Sequence, residues 1–294
     1  MSGTETEQIS AANAEAIEAW DGVLFDRFVE FRDVVVGGLA AHGTEALRLH
    51  PPLPGSRVVD IGCGFGDSTQ EIAALVGPEG FATGIDASPR FIEAAVAEAA
   101  QAGVANARFE VADVQVAPLD GPFDYAFSRF GTMFFANPVA ALRNVRSALV
   151  GGGRLCMVVW RRKLDNVWLY RAQEITEQFV TKPEDYDEPT CGPGPFSMAD
   201  ADTVSHQLLN AGFVDIAFQR CDLPILTGRT ADEAVDLTMK LGPAGEILRL
   251  QGERAAHLHD DIAAALREAF AEYATADGAI VAPASTWIIS ATNP

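Results

Sequence analysis

The stretch Val58-Val59-Asp60-Ile61-Gly62-Cys63-Gly64-Phe65-Gly66-Asp67 decides the fold, because an apolar strand runs through an acidic residue into three glycines at alternate positions. Glycines at such a turn let backbone approach a ligand closely and take conformations that a Cβ forbids, as a nucleotide-binding loop requires. A dinucleotide fingerprint places its third glycine three residues after the second. Counted from Gly62 and Gly64, that position holds Asp67, which disfavours NAD.

Outward from the loop, residues 81–85 read as a second strand ending in Asp86, and residues 108–112 as a third ending in Asp113-Val114. A carboxylate at Asp86 can accept both hydroxyls of a ribose diol, with charge-assisted bonds of roughly 1.5–3 kcal/mol each. Nicotinamide enzymes share this device, so Asp86 supports a nucleoside cofactor without choosing one. Three strands that each end in an acid, on the side where open α/β sheets bind ligands, are a stronger signal than any one of them. Three unrelated solvated loop carboxylates are the plain alternative.

Helices predicted over 68–76, 88–102 and 138–150 alternate with further strands over 123–128 and 154–160. Gly77-Pro78 and Gly151-Gly152-Gly153 are read as stops, and Ser88-Pro89 as an N-cap followed by a first-turn proline. Short alternating elements imply a Rossmann-like, doubly wound and mostly parallel sheet. Residues 7–20 and 24–49 read as helices before the first strand, separated from it by Pro51-Pro52-Leu53-Pro54-Gly55. Later elements are a helix over 197–211, a strand over 214–220, helices over 231–250 and 253–274, and a last strand over 285–292. Domain organisation follows: 1–54 a helical cap, 55–160 the core, 161–200 a lid or acceptor-binding insertion, and 201–294 the completion of the core with an inserted helical pair. Within the insertion, Trp168, Tyr170, the acidic run 184–188 and Cys191-Gly192-Pro193-Gly194-Pro195-Phe196 suit an element that closes over an acceptor. A surface Ω-loop whose aromatics merely pack it down is the alternative.

The chain has 294 residues and a formal net charge of −20, which argues against a nucleic-acid acceptor because such proteins carry a basic stripe. No apolar run reaches the ~18 residues of a membrane helix, and the first ten residues lack a signal pattern, so a cytoplasmic enzyme is expected. Cys63, Cys156, Cys191 and Cys221 show no C-x-x-C spacing and read as free thiols. His257 and His259 stand two apart, which on a helix sends them to different faces, so no metal is expected.

The acidic residue followed by alternating glycines resembles motif I of the class I S-adenosylmethionine-dependent methyltransferases. The segments Phe127-Ser128-Arg129-Phe130-Gly131-Thr132-Met133-Phe134-Phe135, Gly194-Pro195-Phe196 and Ala211-Gly212-Phe213 resemble the ubiquinone/menaquinone-biosynthesis type, bacterial small-molecule enzymes. The resemblance covers most of residues 20–292. It implies that the loop packs under the methionine end of S-adenosylmethionine, that Asp113 takes the adenine amine and Val114 the ring face, and that the last strand lies antiparallel between strands five and six. The full cofactor set it implies is Asp60, Gly62, Cys63, Gly64, Gly66, Ser68, Asp86, Ala87, Asp113, Val114, Ser128 and Arg129. Arg129 is also read as facing the acceptor, or as a salt-bridged structural residue. Trp20, Phe28, Phe130, Phe134, Trp168 and Phe196 are expected at the acceptor, and the 20–28 segment as a gate over the cofactor.

A sulfonium methyl is already activated, so the protein chiefly has to align acceptor, methyl carbon and sulfur. For a phenol, hydroxyl or amine acceptor a base is needed, and His206, Asp165 and Tyr170 are the candidates on or beside the insertion. A half-exposed structural histidine is the better reading of His206, since no partner spacing is evident. The resulting expectation is methyl transfer to a small, apolar or aromatic molecule, with homodimerisation left open. The competing classes are a non-catalytic module that binds the cofactor or its product, and a nicotinamide-dependent oxidoreductase.

Overall fold

The computed structural model describes residues 13–14, 16–180 and 193–294. The earlier part of the helix expected over 7–20, the acidic run 184–188 and the Cys191-Gly192 pair lie outside the described residues. Seven strands form one sheet: β1 (Arg57–Ile61), β2 (Phe81–Asp86), β3 (Ala107–Val111), β4 (Phe123–Arg129), β5 (Leu149–Trp160), β6 (Val214–Gly228) and β7 (Ile280–Thr292). Their order is β3-β2-β1-β4-β5-β7-β6. The first five strands are parallel, while β7 lies antiparallel between β5 and β6 as the resemblance implied.

Val58 and Val59 at the centre of the sheet are fully buried, which follows from helices covering both faces. On those faces and beyond lie α1 (Phe25–Glu30), α2 (Arg32–Leu49), α3 (Asp67–Val76), α4 (Pro89–Ala102), α5 (Pro138–Ser147), α6 (Val167–Phe179), α7 (Ala201–Ala211), α8 (Ala231–Lys240), α9 (Gly242–Gln251) and α10 (His259–Phe270). Ser88 caps α4 through its side chain, accepting from the Phe91 N–H at 3.3 Å, with Pro89 in the first turn. The sheet order reverses beside β1 and β4, which places a crevice at their carboxyl ends, the binding position in open α/β sheets.

Several boundaries differ from expectation: α5 ends at Ser147, α7 starts at Ala201, and the helix expected over 253–274 is confined to His259–Phe270. The glycine triplet 151–153 does not stop a helix. It lies within β5, held to the last residues of the chain by Gly152 N–H to Asn293 O and Asn293 N–H to Gly153 O, both 2.8 Å. β6 and β7 are longer than predicted because they pair with each other from Val214 opposite Thr292 to Gly228 opposite Ile280. Phe31 at φ −104°, ψ 20° interrupts the helix expected over 24–49. Gly242 at φ 82° divides the one expected over 231–250.

Within the 161–200 insertion, the described helix α6 is packed into the body of the protein. Ala172 and Ile175 of α6 pack with Ala234, Val235, Ile247 and Leu266 of α8, α9 and α10 in a separate apolar cluster. Trp168 is buried in the main core. A helix whose apolar side is committed to such a cluster cannot swing away without exposing it.

Helix α2 crosses β6, and its His42 is fully buried with Nδ1 2.9 Å from Thr286 Oγ1. Burial pushes the imidazole down to about 4. The fold therefore holds it neutral, and the unfolded chain takes up the proton first as pH falls below its ordinary value of 6.5. Stability contributed by neutral His42 is lost as pH drops from about 6.5 to about 4. Relative to His42→Leu, the wild type is expected to lose on the order of 2 kcal/mol across that window, measured by urea unfolding at each pH. Equal pH slopes in the two proteins would contradict this.

Candidate functional site

The loop after β1 is laced to the end of β2. Gly62 and Cys63 donate their N–H groups to Ile85 O at 2.8 and 3.0 Å, and Gly64 donates to Asp86 Oδ2 at 3.0 Å. Gly62 has φ 67°, and a Cβ there would stand 2.9 Å from Gly131 Cα, so the loop and the exit of β4 touch backbone to backbone. Gly66, at φ 81°, caps α3, and its missing Cβ would lie 2.7 Å from the Phe109 ring. Gly66→Ala is expected to destabilise the fold by about 2 kcal/mol, from left-handed strain and overpacking, read as a fall in melting temperature.

Asp60 is buried and does not line the crevice. Its Oδ2 accepts from Ser68 Oγ and Thr69 Oγ1, both at 2.7 Å, which ties the first turn of α3 to β1. Burial raises its pKa, opposed by those two hydroxyls and by the charge of Arg129. Asp86 Oδ1 accepts from the Ser88 N–H at 3.0 Å; burial raises this carboxyl too, against the backbone bonds from Ser88 and Gly64. Asp113 Oδ1 accepts from the Gln115 N–H, and Oδ2 from Asn13 Nδ2, each at 3.0 Å.

A cavity of about 240 Å³ opens over these groups. Of the residues read from sequence, Gly62, Cys63, Gly64, Ser68, Asp86, Ala87, Asp113, Val114 and Arg129 line it, together with Trp20, Phe28, Phe130 and Phe134. The others stand outside its lining. Gly66 packs against β3, and Ser128 is buried with its hydroxyl donated to Ile61 O at 2.8 Å, so both shape the loop from behind. Trp168 belongs to the core, and Phe196 packs against that core beside a turn fixed by Gly194 N–H to Met133 O at 3.0 Å.

None of the three candidate bases reaches the cavity lining. Asp165 is ion-paired with Arg161 at 3.3 Å and Arg162 at 3.0 Å, and the Arg162 hydrogen bond holds its carboxyl below the usual range. The phenol of Tyr170 is engaged by Glu174, which raises it, and His206 lies exposed on α7.

Further lining residues, Phe65 and Phe91 among them, carry no signal in the sequence beyond an apolar side chain. Phe65 and Phe91 stack edge to face at 4.8 Å, and Phe25 reaches both, at 5.8 and 4.9 Å. Trp20 meets Phe134 at 4.9 Å, so the N-terminal segment closes one side of the cavity with aromatic rings. Asp21 anchors that segment, accepting from Ser88 Oγ at 2.7 Å and the Arg90 N–H at 3.0 Å. On the far side Phe130, in left-handed backbone at φ 60°, lays its ring 4.8 Å from Trp160. A non-glycine residue held in this way is strained, and such strain gathers at functional sites.

The fold and site together define a Rossmann-like protein with a nucleoside-type crevice at the β1–β4 switch point. The family described as "Methyltransferase domain" matches residues 53–207, more than half of the chain. The chain belongs to this methyltransferase family, in agreement with the class I S-adenosylmethionine-dependent, small-molecule resemblance read from the loop. Among relatives, aklanonic acid methyltransferase DauC of Streptomyces sp. strain C5 is 33% identical over 114 residues, 38% of this chain and 52% of that protein. The ubiquinone/menaquinone biosynthesis C-methyltransferase UbiE of Ectopseudomonas mendocina is 33% identical over 129 residues, 43% of this chain and 50% of that protein. The chain thus spans about half the length of the curated relatives it matches. In fold it resembles the YcgJ protein of Bacillus subtilis, 17% identical with a TM-score of 0.54, covering 87% of this chain and 97% of that one. No helix among the described residues is long and apolar enough to cross a membrane.

Proposed function

We propose that the cavity binds S-adenosylmethionine and that the chain transfers its methyl group to a small apolar or aromatic molecule. The observation that carries this reading is the convergence of the glycine loop, Asp86 and Asp113 on one cavity. The residues fit such a group. A Cβ at Gly62 has no room, Asp86 keeps lone pairs for a diol beyond its two backbone bonds, and Asp113-Val114 offers a carboxylate beside an apolar side chain. DauC and UbiE carry methyltransferase names with small-molecule contexts, which supports the acceptor class.

When bound, the cofactor supplies an electrophilic methyl on a positively charged sulfur. The chain's own residues would then bind and orient. Asp86 would hold the ribose, Asp113 the adenine amine and Val114 the ring, while Cys63 and Gly64 would leave space for the methionine end. Trp20, Phe28, Phe130 and Phe134 would exclude water and align the acceptor in line with the sulfur, where proximity supplies roughly 7–11 kcal/mol of the barrier. Residues 1–54 act in this reading as a cap on the 55–160 core, α6 of the 161–200 insertion joins the helical cluster, and residues 201–294 complete the sheet.

Calorimetric titration with S-adenosylhomocysteine, beside NADH, tests the reading. Micromolar binding of the former alone is expected; NADH binding, or no binding of S-adenosylhomocysteine, would overturn it. Turnover of methyl-labelled donor with any acceptor would eliminate a binding-only module.

A further inference from the structure

Beyond the glycine loop the cavity reaches α2, where Val35, Val36 and Leu39 line it together with Phe130 and Trp160. Arg129 is the one cation among the described lining residues. Its stem crosses Gly43, whose Cβ would stand 2.7 Å from Arg129 Cδ and 3.7 Å from Nη1. Val36, Leu39 and Gly43 are spaced i, i+3, i+7 and share one stripe of α2, so the guanidinium sits on the same wall as the apolar side chains. The other charged lining groups are Asp67, Asp86 and Asp113. Asp67 is paired with Arg32 at 3.1 Å, Asp86 accepts from the Gly64 and Ser88 N–H groups, and Asp113 accepts from the Gln115 N–H and Asn13 Nδ2. No ion pair or hydrogen bond holds Arg129 among the described residues; the charge of buried Asp60 acts on it only through space.

Resting on the proposed function, we infer that Arg129 selects the acceptor: a flat, apolar molecule that enters as an oxyanion, a carboxylate or an ionised phenol. A planar guanidinium on an apolar wall matches a planar oxyanion by paired, charge-assisted hydrogen bonds. This also accounts for a cavity whose described lining holds no histidine, lysine or tyrosine to take a proton. Where the oxyanion is itself the nucleophile, one O–C bond forms, the C–S bond breaks with its electron pair left on sulfur, and no proton has to be moved.

The test is calorimetry with 2-naphthoate and its neutral isostere 2-naphthamide, with and without S-adenosylhomocysteine, on wild type, Arg129→Gln, Arg129→Lys and Gly43→Ala. Wild type is expected to prefer the carboxylate by about tenfold or more, the size of one charge-assisted contact. Arg129→Gln should abolish that preference, Arg129→Lys should keep part of it, and Gly43→Ala, which displaces the stem, should reduce it, all with S-adenosylhomocysteine affinity within about threefold of wild type. Equal binding of the two probes, binding of neither, or a preference that survives Arg129→Gln would overturn the inference. So would a tenfold or larger loss of S-adenosylhomocysteine affinity in Arg129→Gln, which would assign the guanidinium to the cofactor. Failure of wild type to bind S-adenosylhomocysteine would instead refute the proposed function, while the comparison without it still decides the role of Arg129.

Discussion

Asp86→Ala is expected to weaken S-adenosylhomocysteine binding by roughly ten- to a hundredfold, the effect of losing a charge-assisted pair. The carboxylate ends β2, lines the cavity, and is held by two backbone N–H groups, from Gly64 and Ser88. Burial raises its pKa, so two hydroxyl donors from a ribose would offset part of the cost of keeping it ionised there. The alanine variant removes those acceptors and also releases the Gly64 N–H, so the loop loses one of its ties to β2. Titration calorimetry reads the change directly. Asp86→Ala with unaltered affinity and an unaltered melting temperature would remove Asp86 from the site.

Deleting residues 1–30 is expected to cost about a hundredfold or more in the same titration, because it strips several groups from the cavity at once. Trp20 and Phe28 line the cavity, Phe25 covers Phe65 and Phe91, and Asp21 fixes the segment to the start of α4. Arg90 strengthens the attachment, donating to Asp21 O at 3.2 Å and lying 4.1 Å over the Phe25 ring. Without these contacts Phe65 and Phe91 face water, and a bound nucleoside loses one wall of its enclosure. The sheet core does not depend on these residues, since its clusters are built from β1 to β7 and the helices from α2 onward. The truncated protein should therefore keep its far-ultraviolet circular dichroism per residue. An intact fold with wild-type affinity would rule out a gate.

Both effects locate the boundary between what a linear pattern reveals and what packing adds. The amino-acid order by itself determined the β1 loop, the Ser88-Pro89 start of α4, and the acids at the ends of β2 and β3. These are local signals, in which glycine, cap and strand-end chemistry act within a few residues of one another. It did not determine which of those residues face the ligand. Asp60 belongs to the same motif as Gly62, yet the hydroxyls of Ser68 and Thr69 bind it behind the loop. Nor did it set the extent of β5, because whether Gly151 to Gly153 end an element or extend one depends on the partner strand, and Asn293 supplies that partner from the other end of the chain.

The composition of the cavity walls is set by packing between distant elements. Trp168 and Trp20 are equally apolar in the sequence, but Trp168 fills the main core while Trp20 meets Phe134 over the crevice. Hydrophobic burial is non-directional, so the pattern states that an aromatic is buried and not against what. The same holds for charge. Asp165 and Arg129 both sit near the carboxyl ends of strands, and it is three-dimensional proximity that gives Asp165 two arginine partners and sets Arg129 against the bare backbone of Gly43.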